Sequence, residues 1–276
     1  MTLPTFIVIG PGKTGTTWLY QCLKQHPDIR MAHATKETLF FNDYYDRGFA
    51  WYEKFFEGYE GARAVGEVSN DYFFSEEAPA RIRAALPDVK LISILRNPVD
   101  RLVSNYLFRR RQIGVEGNFE QTIESYPVLV ARNFYDVYLK NWFACIPREQ
   151  ILIVLNDEIE KSPEQLLSRI YAFVGADPDF RPAVMRERVL AASAPRFAPL
   201  FHILRRPTRW LRRHDMHALL DWAKNSAIVT RWLTKPIPRE ETFRIAGDTR
   251  RRLAEIFRPH IDRTEEMIGQ DLSAWK

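Results

Sequence analysis

Two rhythms of apolar and polar positions alternate along the chain. Unbroken apolar runs, rich in Ile, Val and Leu, mark strands buried on both faces: FIVIG at residues 6–10, the core of VKLISILRNP at 89–98, and QILIVLND at 150–157. The second of these must stop before Pro98, which cannot donate to a ladder. A shorter strand is predicted at residues 63–66. Between the runs, apolar residues recur at helical spacing. Helices are predicted over the fifteen or so residues after the first strand, over SEEAPARIRAAL with Ser75 as N-cap, and from Pro98 to about Gln112. NFYDVYLKNWFACI and SPEQLLSRIYAFVG read as two more, the second opened by a Ser162/Gln165 capping box with Pro163 at its first position. A last helix spans about 248–267, with Pro259 a candidate break. Strands alternating with helices predict an α/β fold in three layers, a central parallel β-sheet flanked by helices. One domain, 1–276, is the economical division. Prolines at 178, 182, 195, 199, 207, 236 and 238 make the stretch 176–248 irregular within it.

Composition narrows the function classes. A chain of 276 residues, 46% hydrophobic, has ample material for a large core. No run approaches the roughly 20 apolar residues needed to span a bilayer, and no leader pattern precedes the first strand. A soluble, cytoplasmic protein is expected. Cys22 and Cys145 stand far apart without metal-ligand spacing and read as reduced, packed thiols. The net charge of +5 favours an anionic ligand. Between 181 and 213 the basic residues include Arg186, Arg188, Arg196, Arg205, Arg206, Arg209, Arg212 and Arg213, with Glu187 the acid among them. Three readings of this stretch stand open: contact with an acidic acceptor, peripheral contact with a membrane surface, or a solvated face. No nucleic-acid recognition motif is present.

The chemistry begins where the first strand ends. Pro11-Gly12-Lys13-Thr14-Gly15-Thr16-Thr17 lies between a buried strand and the apolar segment that starts at Trp18. Such a P-loop-type turn offers backbone N–H groups, hydroxyls and one ammonium to a doubly charged phosphate-like group. In the common kinase and ATPase pattern a lysine follows the last glycine of the loop. Here Thr16 and Thr17 follow Gly15, and Lys13 sits two residues before it. Asp157, after the strand of QILIVLND, is placed as the acidic residue that would help hold Mg²⁺ in an NTPase. A P-loop kinase or NTPase and a non-catalytic nucleotide-binding module therefore remain alternatives.

Lys13-Thr14-Gly15-Thr16-Thr17 taken together with LRNPVDRLVSNY resembles the sulfotransferases that use 3′-phosphoadenosine 5′-phosphosulfate (PAPS), in particular the heparan sulfate branch and its bacterial relatives. HPDIRMAHATKETLFF, YLKNWFACIPREQILIVLNDE and FRPHIDRTEEMIGQDLSAW are similar to segments of the same family, so the resemblance extends over most of the chain. It implies PAPS as sulfuryl donor, no metal, and a small-molecule, glycan or lipid acceptor. It implies that Gly12, Lys13, Thr14, Gly15, Thr16, Thr17 and Trp18 hold the 5′-phosphosulfate end, and that Arg96 and Ser104, with Arg196, hold the 3′-phosphate. Glu37, ahead of Phe40 and Phe41, matches the catalytic base, and Lys13 would stabilise the leaving phosphate. Lys36, His33 and Tyr72 are the candidate acceptor contacts, His33 being also the rival base. The chain departs from the heparan branch at Glu67-Val68-Ser69, where that branch has Glu-Lys-Ser; Lys36, beside Glu37, is the candidate replacement for the missing lysine.

Overall fold

The computed structural model describes residues 2–113, 117–186, 193–195, 234–236, 243 and 245–276. Five parallel strands form the central sheet: β1 Phe6–Gly10, β2 Ile29–Met31, β3 Ala64–Val68, β4 Lys90–Leu95 and β5 Ile151–Leu155, in the order β2-β3-β1-β4-β5. The longer helices are α1 Thr16–Gln25, α2 Ala78–Ala85, α3 Pro98–Ile113, α4 Tyr135–Cys145, α5 Pro163–Val174 and α6 Gly247–Ile268. Strand periodicity sorts the core into two halves. Phe6 and Val8 of β1, with Ile92 and Ile94 of β4, pack under α1 and α5. Ile7 and Ile9, with Leu91 and Leu95, face α2, α3, α4 and α6. The three-layer α/β fold expected from the alternation is the one observed.

Five local readings change. α2 begins at Ala78 with Glu77, not Ser75, at its N-cap, the Ser75 hydroxyl accepting from the N–H groups of Glu77 and Ala78 at 3.3 and 3.0 Å. β2 was not anticipated: three residues with an exposed Arg30 at their centre carry almost no strand signal. The strand expected at 63–66 runs from Ala64 to Val68. Ser162 makes no side-chain cap, because a short helix, Asp157–Lys161, runs directly into α5 and the Ser162 N–H is taken by Glu158 O. α6 continues through Pro259, its line of Leu253, Phe257, Ile261 and Ile268 being buried against the sheet side. That packing outweighs the one hydrogen bond proline removes. At the start of α3, Asn97 Oδ1 accepts from the N–H groups of Val99 and Asp100 at 3.0 and 3.3 Å, so the strand-ending Pro98 is also the first residue of a capped helix. Within 176–248, Ser193–Pro195 pairs antiparallel with Thr234–Pro236. Among the described residues no helix is long and apolar enough to cross a membrane.

Strand order places the chemistry. The chain leaves β1 toward β2 and β3 on one side and returns to β4 on the other, so the loop after β1 and the residues after β4 meet at a topological switch point.

Candidate functional site

The loop that leaves β1 is held from behind, carbonyl by carbonyl. Ser93 of β4 donates to Gly10 O at 2.7 Å, Thr14 Oγ1 to Pro11 O at 2.7 Å, and Arg101 Nε of α3 to Gly12 O at 2.9 Å. Arg96 Nη1 donates to Lys13 O at 3.3 Å and Asn156 Nδ2, just past β5, to Thr14 O at 2.9 Å. N–H and C=O point opposite ways across a trans peptide. Tethering the carbonyls of Gly12, Lys13 and Thr14 therefore turns the following N–H groups away from the protein behind them. Gly15, at φ 103°, then starts α1, whose unpaired N–H groups and positive dipole end face the same side. At φ 103° Gly15 holds a left-handed backbone angle that L side chains rarely adopt, and a Cβ there would also push the Ile159 side chain aside. The result is a nest of donors able to surround a phosphate-like anion.

Across from the loop runs the segment that carries Lys36, Glu37 and Thr38. Lys36 Nζ donates to Thr17 Oγ1 at 3.1 Å and stands 4.0 Å from Glu37 Oε1. Burial lowers the Lys36 pKa while the Glu37 charge opposes that shift. Glu37 Oε1 accepts from the side-chain amide of Asn70, which follows β3. These residues line one cleft of about 530 Å³ together with Gly12, Lys13, Gly15, Thr16, Thr17 and Trp18. Lys13 Nζ lies 4.2 Å from the centre of the Phe108 ring.

The far flank of the cleft is cationic. Arg109 of α3 and Arg132 stand near one carboxylate, Asp71, which is 3.9 Å from Arg132 Nη1. The Arg132 and Arg101 guanidiniums sit 4.7 and 5.3 Å from the Phe74 ring centre. Arg109 Nε is buried without a hydrogen-bond partner, and desolvation followed by the Arg132 charge lowers the Arg109 pKa. A second cleft, of about 750 Å³, opens on the other side of Gly15 and Trp18, between Asn156, Ile159, Ser162, Gln165 and Met185.

The structure thus brings Gly12, Lys13, Gly15, Thr16, Thr17, Trp18, Lys36 and Glu37 to one cleft. Thr14 is fully buried, its hydroxyl spent inside the loop and its carbonyl on Asn156, and it lines neither cleft described. Trp18 is 6% exposed, its indole N–H given to Met185 O at 2.9 Å. Arg96 lies at the end of β4, bracing Lys13 O, and Ser104 is half-buried on α3; neither lines the two clefts described.

Two candidate acceptor contacts lie elsewhere. Tyr72 is fully buried, its hydroxyl 3.2 Å from Thr38 Oγ1 and accepting from Phe41 N–H, so it belongs to the core beneath the segment. His33 is exposed outside the cleft, joined to Glu57 O at 2.8 Å and the Tyr59 hydroxyl at 3.0 Å. Phe40, Phe41 and Trp51 pack in the core as well. Val68, in place of the heparan-branch lysine, is fully buried under α1. Arg196 and most of the basic stretch 181–213 lie outside the described residues. Of its described members, Arg186 pairs with Glu164 at 2.7 Å and Arg181 donates to Pro178 O. Asp157 opens the short helix after β5, 3.8 Å from Lys161. Among the described residues no cluster of three or more His, Cys, Asp or Glu side chains has metal-binding geometry. Sequence reasoning missed Ser93, Arg101, Asn156 and Asn70; Arg101 alone was within reach, as the second arginine of LRNPVDR.

A family model described as Sulfotransferase domain matches residues 3–192. Mouse bifunctional heparan sulfate N-deacetylase/N-sulfotransferase 4 is 33% identical over 199 residues, an alignment that takes in 64% of this chain and 23% of the mouse protein. The chain therefore spans under a quarter of that relative's length. Among solved structures, the sulfotransferase from Alicyclobacillus acidocaldarius superposes over 100% of this chain and 99% of its own, at TM-score 0.73 and 24% identity. Mouse sulfotransferase SULT7A1 complexed with PAP shares the fold at TM-score 0.51 and 17% identity, over 95% of this chain and 84% of that one.

Proposed function

This chain belongs to the sulfotransferase domain family, and on that premise we propose that it transfers a sulfuryl group from PAPS to a hydroxyl or amine of an acceptor. The observation that carries the proposal is the anion loop with five successive carbonyls tied back, facing a lysine and a carboxylate across one cleft. Sulfuryl transfer breaks the bond between sulfur and the oxygen bridging to the 5′-phosphate and forms one from sulfur to the acceptor atom. Negative charge grows on the departing phosphate, and the acceptor gives up a proton. Lys13 and the loop N–H groups stabilise the first; Glu37, held by Asn70, takes the second. Lys36, bonded to Thr17 and near Glu37, stands between the two and takes over from the lysine that Val68 replaces. Arg96 and Ser104 are assigned to the 3′-phosphate, and Trp18, between the two clefts, to the nucleotide.

For the acceptor, a carbohydrate bearing acidic groups suits the flank best. Arg109 and Arg132 outnumber Asp71 there, and a buried guanidinium nitrogen without a partner is costly until something accepts from it. The relative named for heparan sulfate N-sulfation supports the same class.

Calorimetry with 3′,5′-adenosine bisphosphate (PAP) against Mg–ATP tests the donor, and ³⁵S transfer from labelled PAPS to de-sulfated heparin tests the acceptor. Micromolar PAP binding with weak Mg–ATP binding is expected. Tight Mg–ATP association without PAP affinity would turn the reading to the kinase or NTPase alternative; PAP binding without transfer to any acidic or neutral glycan would overturn the acceptor class.

A further inference from the structure

Against the anion loop stands a buried charge that the proposed chemistry leaves unexplained. Arg101, in α3, is 2% exposed, yet it is one of the residues lining the cleft. Its Nε donates to Gly12 O at 2.9 Å, and its Nη1 to Arg132 O at 2.9 Å and to Asn133 Oδ1 at 2.7 Å. All three acceptors are neutral. Among the described residues no carboxylate pairs with it, for Asp71, the acid of this flank, is 3.9 Å from Arg132 and more than half exposed. Burial lowers the Arg101 pKa, with the Arg132 charge acting the same way and the Tyr135 and Tyr138 hydroxyls opposing it. An arginine nonetheless keeps its proton in a protein, so the charge stays.

A buried ion without a counter-ion is costly. Fastening the loop does not call for one, since the neutral side chains of Ser93 and Asn156 hold Gly10 O and Thr14 O at 2.7 and 2.9 Å. The cleft as a whole has the same imbalance: Lys13, Lys36, Arg101, Arg109 and Arg132 line it against Glu37 and Asp71. The other four cations are half-buried side chains, open to screening by water and salt. Arg101 alone of the five is buried, and its guanidinium is fixed by three hydrogen bonds with the Phe74 ring centre 5.3 Å away. Its charge is therefore both immobile and little screened. Its bond to Gly12 O also draws electron density from the Gly12–Lys13 peptide, which makes the Lys13 N–H a stronger donor.

We infer that Arg101 is a positioning residue of the anion loop whose unneutralised charge is the loop's built-in counter-ion: it fixes the Gly12 carbonyl, and the anion that enters the loop is the counter-charge it lacks. The charge thus costs stability in the free protein and returns it on binding. For its nucleotide readout the inference rests on the PAPS reading of the cleft. With a simple inorganic anion it does not depend on that reading.

The test compares wild type with Arg101→Lys, which keeps the charge but loses the fork, and with Arg101→Gln, which keeps a donor but loses the charge. By calorimetry PAP should bind Arg101→Lys about fivefold more weakly than wild type, and Arg101→Gln about 50-fold more weakly. In urea without ligand, Arg101→Gln should be at least as stable as Arg101→Lys, because it no longer buries an unpaired cation. Equal PAP affinities in the two variants would overturn the inference, and so would a Gln variant whose stability falls below that of the Lys variant by the same factor as its affinity. Inorganic sulfate should raise the melting temperature of wild type and Arg101→Lys more than that of Arg101→Gln. That order with no PAP binding by wild type would support the role of Arg101 and count against the PAPS reading; equal sulfate responses would refute the role. Should the Arg101 variants fail to fold, Asn133→Asp and Asn133→Ala replace them. Both lose the amide bond to Leu129 O, but only Asp supplies Arg101 with a carboxylate. Asn133→Asp should weaken PAP about tenfold more than Asn133→Ala, and equal losses would again refute the inference.

Discussion

The two walls of the cleft are built on opposite principles. On one, side chains from β4, α3, the end of β5 and the loop itself fasten each carbonyl of residues 10–14. On the other, Lys36 and Glu37 present side chains from a segment that takes left-handed backbone angles at Ala34 and Leu39 and is held by Val68, Ser69 and the buried Glu67. On the proposed function, the anchored N–H groups of the first wall would recognise a charge whose shape does not vary, and the side chains of the second would handle a proton and an acceptor. Changes to the first wall should therefore be read in nucleotide affinity, and changes to the second in turnover.

The sharpest way to break that division is Glu37→Gln. It keeps the contact with Asn70 within reach of a neutral amide but removes the base, so transfer from PAPS should fall by about 10²–10⁴-fold while PAP affinity changes little. Equal losses in binding and turnover would dissolve the distinction. Lys13→Ala sits at the meeting of the walls: removing the ammonium proposed to stabilise the departing phosphate should lower turnover by about 10²–10³-fold and weaken PAP as well. Wild-type rates would reassign the charge stabilisation to Lys36 and the loop N–H groups. The smallest effect, and the most specific to the rear fastening, belongs to Ser93→Ala. Ser93 lies in β4 and lines neither cleft, yet loss of its bond to Gly10 O should weaken PAP about fivefold, near 1 kcal/mol. Unchanged affinity would mean the loop holds its shape without that tether.

The difference between the walls also explains what sequence reading could reach. The strand-loop-helix of residues 6–23 announced itself because its glycines, lysine and threonines are contiguous, and of the residues named from it Gly12, Lys13, Gly15, Thr16, Thr17 and Trp18 line the cleft while Thr14 is buried behind it. Lys36 and Glu37 were legible as neighbours of that loop only through the family resemblance. Tyr72 and His33 were misplaced for a physical reason. An aromatic or histidine near a site in sequence has no periodic cue to say which way it points, and here Tyr72 turned into the core and His33 toward Tyr59. Ser93 gave no sign at all, since a serine inside an apolar strand looks like a tolerated polar residue until its hydroxyl is seen to meet Gly10 O.

Periodicity and turn chemistry alone determined the α/β layering, the position of the anion loop and the stop before Pro98, since each depends on contacts within a few residues of sequence. The tertiary structure decided which carbonyls of that loop are fastened, that Val68 is core, and that the Glu67 carboxyl of β3 lies beneath the segment carrying Glu37. Those are meetings of residues up to 142 positions apart, such as Asn156 with Thr14, and the strand order β2-β3-β1-β4-β5 is what brings them together.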